Sequence, residues 1–245
     1  KKKYNLKIGV VNFDPMPKMF FNKKLKNFRL SNIHQKIKLL SNLKVDFVIT
    51  KKFDKKFSKT KALDFIIKIL NKKLNSRFIF VSNNFRFGNK REGNVNLLKK
   101  HEKSFNYKVI KPEPLIKNKK IVSSSLIRNL LEKGFLAKAN NYLNRNWTIQ
   151  GIVKKGRQVG KKIGFPTCNI DIKDYVLAKP GVYAVKVLRK NSNKYLKGIA
   201  NLGYRPTFNQ KKILLEVNLF NFSGNLYNKL LSVEFLKFIR KEKKF

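Results

Sequence analysis

The chain is short of cysteine, of acid and of long apolar runs, and each shortage excludes something. Cys168 is the single cysteine among 245 residues, so no disulfide can form within the chain, which fits a reducing compartment. No apolar stretch approaches the ~20 residues that a membrane-spanning helix needs. The start, KKKYNLKIGV, has a basic flank but neither the apolar length nor the small-residue cleavage site of a secretory signal. A cytoplasmic protein without a membrane partner is expected. Only 13 acidic residues stand against 58 lysines and arginines, a formal charge of +45. Such a surplus raises nucleic acid first, because clustered cations release counterions from a phosphate backbone, and an acidic membrane second. Yet ten of the basic residues are arginine, and lysines recur in every segment rather than on one face. That distribution reads as compositional drift over an ordinary fold, with sequence-blind polyanion binding as a by-product. An initiator methionine is also missing, which reads as a fragment of something longer.

The chain does have a hydrophobic share of 42% and 21 phenylalanines, enough for a packed interior. Its length suits two domains. Up to about residue 145 apolar strands alternate with helical periods. Strands are expected at 5–13, 45–50, 77–83 and 107–111, with helices at 32–43, 60–74 and 94–105. That alternation predicts a parallel sheet with helices on both faces and ligands at the carboxyl ends of its strands. From Trp147 the rhythm changes to short period-2 segments separated by Gly, Pro and Asn, as in WTIQGIVKKG, GVYAVKVLRK and ILLEVNLF. This predicts an antiparallel barrel or sandwich. The boundary is placed at 145/146.

Residues 156–170, GRQVGKKIGFPTCNI, nearly spell a phosphate-binding loop. One residue too few separates the glycines, and Lys162 stands where a hydroxyl would bind magnesium, so this is not a Walker loop. Gly156, Gly160 and Gly164 can still turn backbone amides toward an anion, with Lys161 and Lys162 adding charge. The metal ligand must come from elsewhere. In an extended segment Thr167 and Asn169 project from one face with neutral oxygens, and magnesium accepts few protein ligands when substrate phosphates complete its shell. An ordered turn is the competing reading of FPTCN. Phosphoryl transfer to an alcohol also benefits from a carboxylate base. Glu216 shares a strand face with Leu214, Asn218 and Phe220, which makes it either a solvated strand residue or a base inside a barrel.

These blocks, with PGVYAVKV, GIANLGYRPTF, LLEVNLF and LYNKLLSVEFLKFIRKEKKF in order behind them, resemble the riboflavin kinase module of bacterial bifunctional riboflavin kinase/FAD synthetases. The resemblance covers nearly all of residues 147–245. It implies a small six-stranded antiparallel barrel that moves the γ-phosphate of ATP to the ribityl 5′-hydroxyl of riboflavin, giving FMN. It assigns Thr167 and Asn169 to Mg2+ and nucleotide, and Gly156, Gly160, Lys161, Gly164 and Pro166 to ATP. Glu216 becomes the base, with Arg205 and Arg240 near the flavin. Cys168 stands where the family usually has Ala.

Residues 1–145 resemble the FMN adenylyltransferase module of the same enzymes, of Rossmann-like α/β topology, which makes FAD from FMN and ATP. NNFRFGNKREGN places Asn84 and Arg86 at the ligand edge of the sheet. In IVSSSLIRNLLEKG, Ser123, Ser124 and Ser125 open a helix whose free amides face a phosphate, with Arg128 on the same face. NFDPMP at 12–17 resembles the family's second strand and Pro-x-Pro turn, so the first strand with its two ATP-gripping histidines is read as absent. His34 and His101 are read as surface residues. The expectation from this is FMN formation with little or no FAD, and a terminal helix beyond Phe245 is also missed. The rivals are a basic nucleic-acid-binding protein with a barrel domain and a degenerate flavin or nucleotide sensor. Oligomeric state is not legible.

Overall fold

The computed structural model of the chain describes residues 4–25, 28–155, 167–172, 174–206 and 211–242. They fall into two units, Lys1–Lys23 with Phe47–Ile121 and Lys24–Asp46 with Val122–Phe245.

In the first unit β1 (Gly9–Asp14) pairs in parallel with β2 (Phe47–Lys52), Val11 opposite Ile49. Next come β3 (Phe78–Phe80) and a short hairpin of β4 (Arg86–Phe87) and β5 (Gly93–Asn94). β6 (Lys108–Ile110) returns parallel to β3, and a last hairpin joins β7 (Ile116–Lys117) to β8 (Lys120–Ile121). Parallel pairing follows from the helical crossovers between these strands. The expected single sheet is realised, among the described residues, as two separate parallel pairs. The helix expected at 60–74 begins as Ala62–Asp64 and widens into a π-helix over Phe65–Lys73. Lys61 offers no side-chain cap there; the Ala62 amide donates instead to Glu92 Oε1 at 2.6 Å. Gly88, at φ +76°, lies against the Ala62 backbone where any Cβ would overlap it. The NNFRFGNKREGN stretch thus buttresses this helix. Phe65, Ile66, Leu70, Ile79, Val95, Leu98 and Val109 form the unit's core.

The second unit is built on six strands: β9 (Thr148–Lys154), β10 (Thr167–Asp171), β11 (Gly181–Arg189), β12 (Tyr195–Pro206), β13 (Lys211–Leu219) and β14 (Leu230–Arg240). They close in the order β10-β13-β12-β11-β14-β9, every pairing antiparallel. Alternation sends Ile149, Val153, Ile170, Tyr183, Val185, Leu215, Val217, Val233 and Phe235 inward, each almost fully buried. Helices dock on this barrel through polar latches. Asn140 on Leu136–Leu143 donates to Phe235 O (3.0 Å) and accepts from the Trp147 amide (2.8 Å). The helix Ile33–Asn42 opens with an Asn32/Gln35 capping box. Gln35 Nε2 then donates to Thr148 O (3.0 Å), and Gln35 Oε1 accepts from the Tyr175 hydroxyl (2.6 Å). Trp147 Nε1 donates to Leu30 O at 3.1 Å. Residues 24–46 and 122–145 therefore pack with the barrel, although helical sequence gives way to strands only between Leu143 and Thr148.

Candidate functional site

Thr167 and Asn169 on β10 and Glu216 on β13 stand on adjacent strands, with β12 on the other side of β13. Leu215 and Val217 of β13 are fully buried, so Glu216 and Asn218 point outward. Ile170 of β10 is fully buried, so Thr167, Asn169 and Asp171 point outward, while Cys168 packs against the core. Ala200 and Leu202 of β12 point in and Asn201 points out. Of the two settings open to Glu216, the structure chooses neither in full: it sits on the outer wall of the barrel and is half-buried.

Register then makes a row. Asn169 is opposite Glu216 and Glu216 is opposite Asn201. Asn201 is opposite Val182, and Val182 opposite Arg240. On its other side Asn169 faces Lys154 of β9. Thr167 pairs with Asn218 one step along. Directly opposed residues have Cβ atoms about 4.5–5.5 Å apart, so Thr167, Asn169, Glu216, Asn218 and Asn201 form one patch. With strands about 4.8 Å apart, Arg240 lies three spacings from Glu216, roughly 14 Å around the wall. Its Nη1 donates to Lys241 O at 3.1 Å.

Two atoms of this patch are unusual. Asn169 is only 9% exposed although it points outward, and among the described residues the buried Oδ1 atoms of Asn169 and Asn201 have no hydrogen-bond partner. A buried acceptor left unsatisfied costs about 1–3 kcal/mol, so each of these oxygens, one on each side of Glu216, is a place where a donor or cation would be favoured. Lys154 Nζ lies 3.6 Å from Asp171, keeping a cation beside Asn169. Burial pushes the Cys168 thiol up to about 11, so it stays protonated and inert at neutral pH. Gly203, two residues beyond Asn201, lies against the Glu242 carboxylate where a Cβ would overlap it.

A cavity of about 870 Å³ opens on the same unit, lined among others by Ile152, Arg189, Lys190, Asn225, Asn228 and Lys229, with exposed His34 at its edge. Ile152 lies two residues from Lys154 on β9, the strand paired with β10. Sequence reading missed these residues, since they come from a hairpin and a loop that carry no spaced motif. Among the described residues no cluster of three or more His, Cys, Asp or Glu side chains is arranged to hold a metal, and no helix is long and apolar enough to cross a membrane. Gly156, Gly160, Lys161, Gly164 and Pro166 lie outside the described residues, as does the Arg205 side chain.

The residues expected to serve a second nucleotide divide between the units. In the second, Ser123 caps the helix Ser124–Glu132 by accepting from the Leu126 amide at 3.2 Å. Arg128 lies over the Phe28 ring at 3.6 Å, its Nε donates to Phe28 O (3.0 Å), and its Nη1 is 3.5 Å from Ser125 Oγ. Burial pulls the Arg128 guanidinium pKa down, against the opposing field of Glu132. In the first unit Asn84 Oδ1 accepts from Ser82 Oγ at 3.0 Å, and Arg86 sits exposed on β4 opposite Asn94.

Comparison with known proteins adds to this geometry. Residues 143–245 match the riboflavin kinase family and residues 1–126 the FAD synthetase family. The chain is similar to the bifunctional riboflavin kinase/FMN adenylyltransferase of Buchnera aphidicola subsp. Schizaphis graminum, 40% identical over 98% of this chain and 78% of that protein. It is likewise similar to the Escherichia coli K12 protein of the same description, 34% identical over 100% of this chain and 78% of that one. A crystal structure described as a macrolide-efflux protein from Streptococcus pneumoniae superposes with a TM-score of 0.82 at 25% identity, covering 100% of this chain and 79% of that one.

Proposed function

The chain belongs to the bifunctional riboflavin kinase/FMN adenylyltransferase family, and from that premise we propose that residues 146–245 phosphorylate riboflavin to FMN with Mg-ATP in the cytoplasm. The observation that carries the reading is the row on the barrel wall, where the bare Oδ1 of Asn169 lies beside Glu216. Mg2+ prefers hard oxygen donors and keeps most of its shell for water and substrate phosphates. A buried amide oxygen without a donor, next to a threonine hydroxyl on the same face, fits such an ion. Thr167 and Asn169 would hold it, where it would neutralise charge on the β- and γ-phosphates.

Glu216 accepts the proton of the substrate's terminal hydroxyl as that oxygen forms its bond to the γ-phosphorus and the bond to the ADP oxygen breaks. Asn169 and Asn201 flank it across the two ladders. Lys154 and the cations of the cavity supply the positive field that a nucleoside triphosphate needs. Gly156, Gly160, Lys161, Gly164 and Pro166 are assigned to the ATP phosphates, and Arg205 and Arg240 to the flavin side. The family's second reaction, adenylyl transfer from ATP to FMN with release of pyrophosphate, is assigned to residues 1–145. Ser123, Ser124, Ser125 and Arg128 in the second unit would receive phosphate at a helix N-terminus, and Asn84 and Arg86 in the first are assigned separately to nucleotide or flavin.

Chromatography of products from riboflavin and ATP tests the kinase reading. FMN is expected with Mg2+ and none with chelator. Glu216→Gln should lower the rate by about 10²–10⁴, the range for removing a general base. FMN formation by this variant near the wild-type rate would remove Glu216 from the chemistry.

A further inference from the structure

The site as assigned above leaves Asn201 unused, although it meets the same physical test as Asn169. It opposes Glu216 on the side away from Asn169, and its Oδ1 is buried without a hydrogen-bond partner. Its flanking residues Ala200 and Leu202 are buried in the barrel core, so the backbone fixes which way the amide points. The two amides thus bracket one carboxylate and are not equivalent. Asn169 neighbours Lys154 and shares its strand face with Thr167, the side assigned to metal and phosphates. Asn201 instead neighbours apolar Val182, with Arg240 one strand beyond it. An acceptor without a donor among the described residues, directly beside a carboxylate base, is complementary to a neutral hydroxyl.

Resting on the riboflavin kinase reading, we propose that Asn201 is a substrate-binding residue: its Oδ1 accepts a hydrogen bond from a second hydroxyl of the same polyol chain whose terminal hydroxyl faces Glu216. The polyol lies across the β12–β13 ladder, one hydroxyl on each strand. The contact sets which hydroxyl is presented to the base, and so selects polyols over simple alcohols. A site built around a buried acceptor rejects an analogue that cannot fill it, because the acceptor is then left unpaired.

The test is steady-state kinetics of the full chain with Mg-ATP, comparing wild type, Asn201→Ala and Asn201→Ser on riboflavin and on analogues that each lack one non-terminal ribityl hydroxyl. Asn201→Ala should raise KM for riboflavin at least tenfold while KM for ATP and the Mg2+ activation curve move less than twofold. One analogue should show a similar loss with wild type and no further loss with Asn201→Ala, and Asn201→Ser should recover part of the affinity. Because the Oδ1 has no partner among the described residues, thermal melting of Asn201→Ala should stay close to wild type. Equal additional losses with every analogue, a shift in the Mg2+ curve, or a lowered melting temperature with unchanged KM would overturn the proposal. Absence of riboflavin phosphorylation in wild type would overturn the kinase reading and this proposal together. Wild-type activity abolished by Glu216→Gln but untouched by Asn201→Ala would overturn this proposal alone.

Discussion

The two units spend their hydrogen bonds differently. In the barrel every strand has two partners, so its register is over-determined and side chains from four strands are held in one row. In the α/β unit strands meet in isolated pairs, and its candidate residues stand on a turn and a two-residue strand. A site on a closed ladder can carry unsatisfied atoms such as Asn169 Oδ1 because surrounding strands fix them. The α/β residues instead satisfy one another, as Ser82 does Asn84. The comparison teaches that register around a closed barrel, which isolated pairs lack, is what brings distant polar residues such as Asn169, Glu216 and Asn201 into one row.

After Glu216→Gln, the largest expected effect attacks that point. Asn169→Ala should weaken metal activation of riboflavin phosphorylation roughly 10- to 100-fold, as losses around metal sites do, with partial recovery at high Mg2+. Its melting temperature should stay close to wild type, since the Oδ1 has no partner among the described residues. A large loss of stability with an unchanged Mg2+ curve would make Asn169 structural.

Core truncations sharpen the contrast next. Phe235 packs against Trp147 and Tyr183 with ring centroids 4.8 and 5.0 Å away, so Phe235→Ala should cost about 3–5 kcal/mol. Leu98→Ala in the other core should cost about 2–5 kcal/mol. Trp147 is the chain's single tryptophan and lies in the barrel unit, so its fluorescence reports that unit. Phe235→Ala should move the denaturant midpoint of Trp147 and Leu98→Ala should leave it; equal shifts would contradict separate cores.

A smaller effect is expected at Tyr175. Its hydroxyl donates to Gln35 Oε1 and accepts from the Gln150 amide at 3.0 Å. Tyr175→Phe should cost about 1–3 kcal/mol and speed amide exchange in Ile33–Asn42 most. Uniform exchange changes would show that the latch is not local.

Alkaline pH should show least contrast. Burial raises Tyr107 in the first unit and Tyr175 in the second to about 12 and Cys168 to about 11. An acid whose folded pKa is raised contributes stability that is present below its unfolded value and lost as pH rises through the folded one. Both units should hold their melting temperatures up to about pH 9 and lose them progressively toward pH 12. A melting temperature that rises across that window would contradict the burial of these groups.

Much of the barrel was legible because period-2 alternation states which residues face in: Leu215 and Val217 against Glu216 needed no coordinates. What alternation cannot state is who stands beside whom. Strands 169, 201 and 216 are far apart in sequence, and their row depends on closure and register, so Asn201 gave no signal. The π-helical turn at Phe65–Lys73 was hidden because an apolar helical face looks alike at either pitch. The association of residues 24–46 with the barrel unit depends on single polar contacts such as Gln35 to Thr148, which composition does not record. The cavity beside Ile152 arises from loop shape and has no spacing to read.

A structure of the chain with riboflavin, Mg2+ and a non-hydrolysable ATP analogue tests the central claim most directly. The account predicts Mg2+ about 2.0–2.1 Å from its oxygen ligands, with Thr167 and Asn169 supplying the protein's share and the flavin's terminal hydroxyl within hydrogen-bond reach of Glu216. Metal and flavin bound on a different wall of the barrel, away from that row, would contradict it.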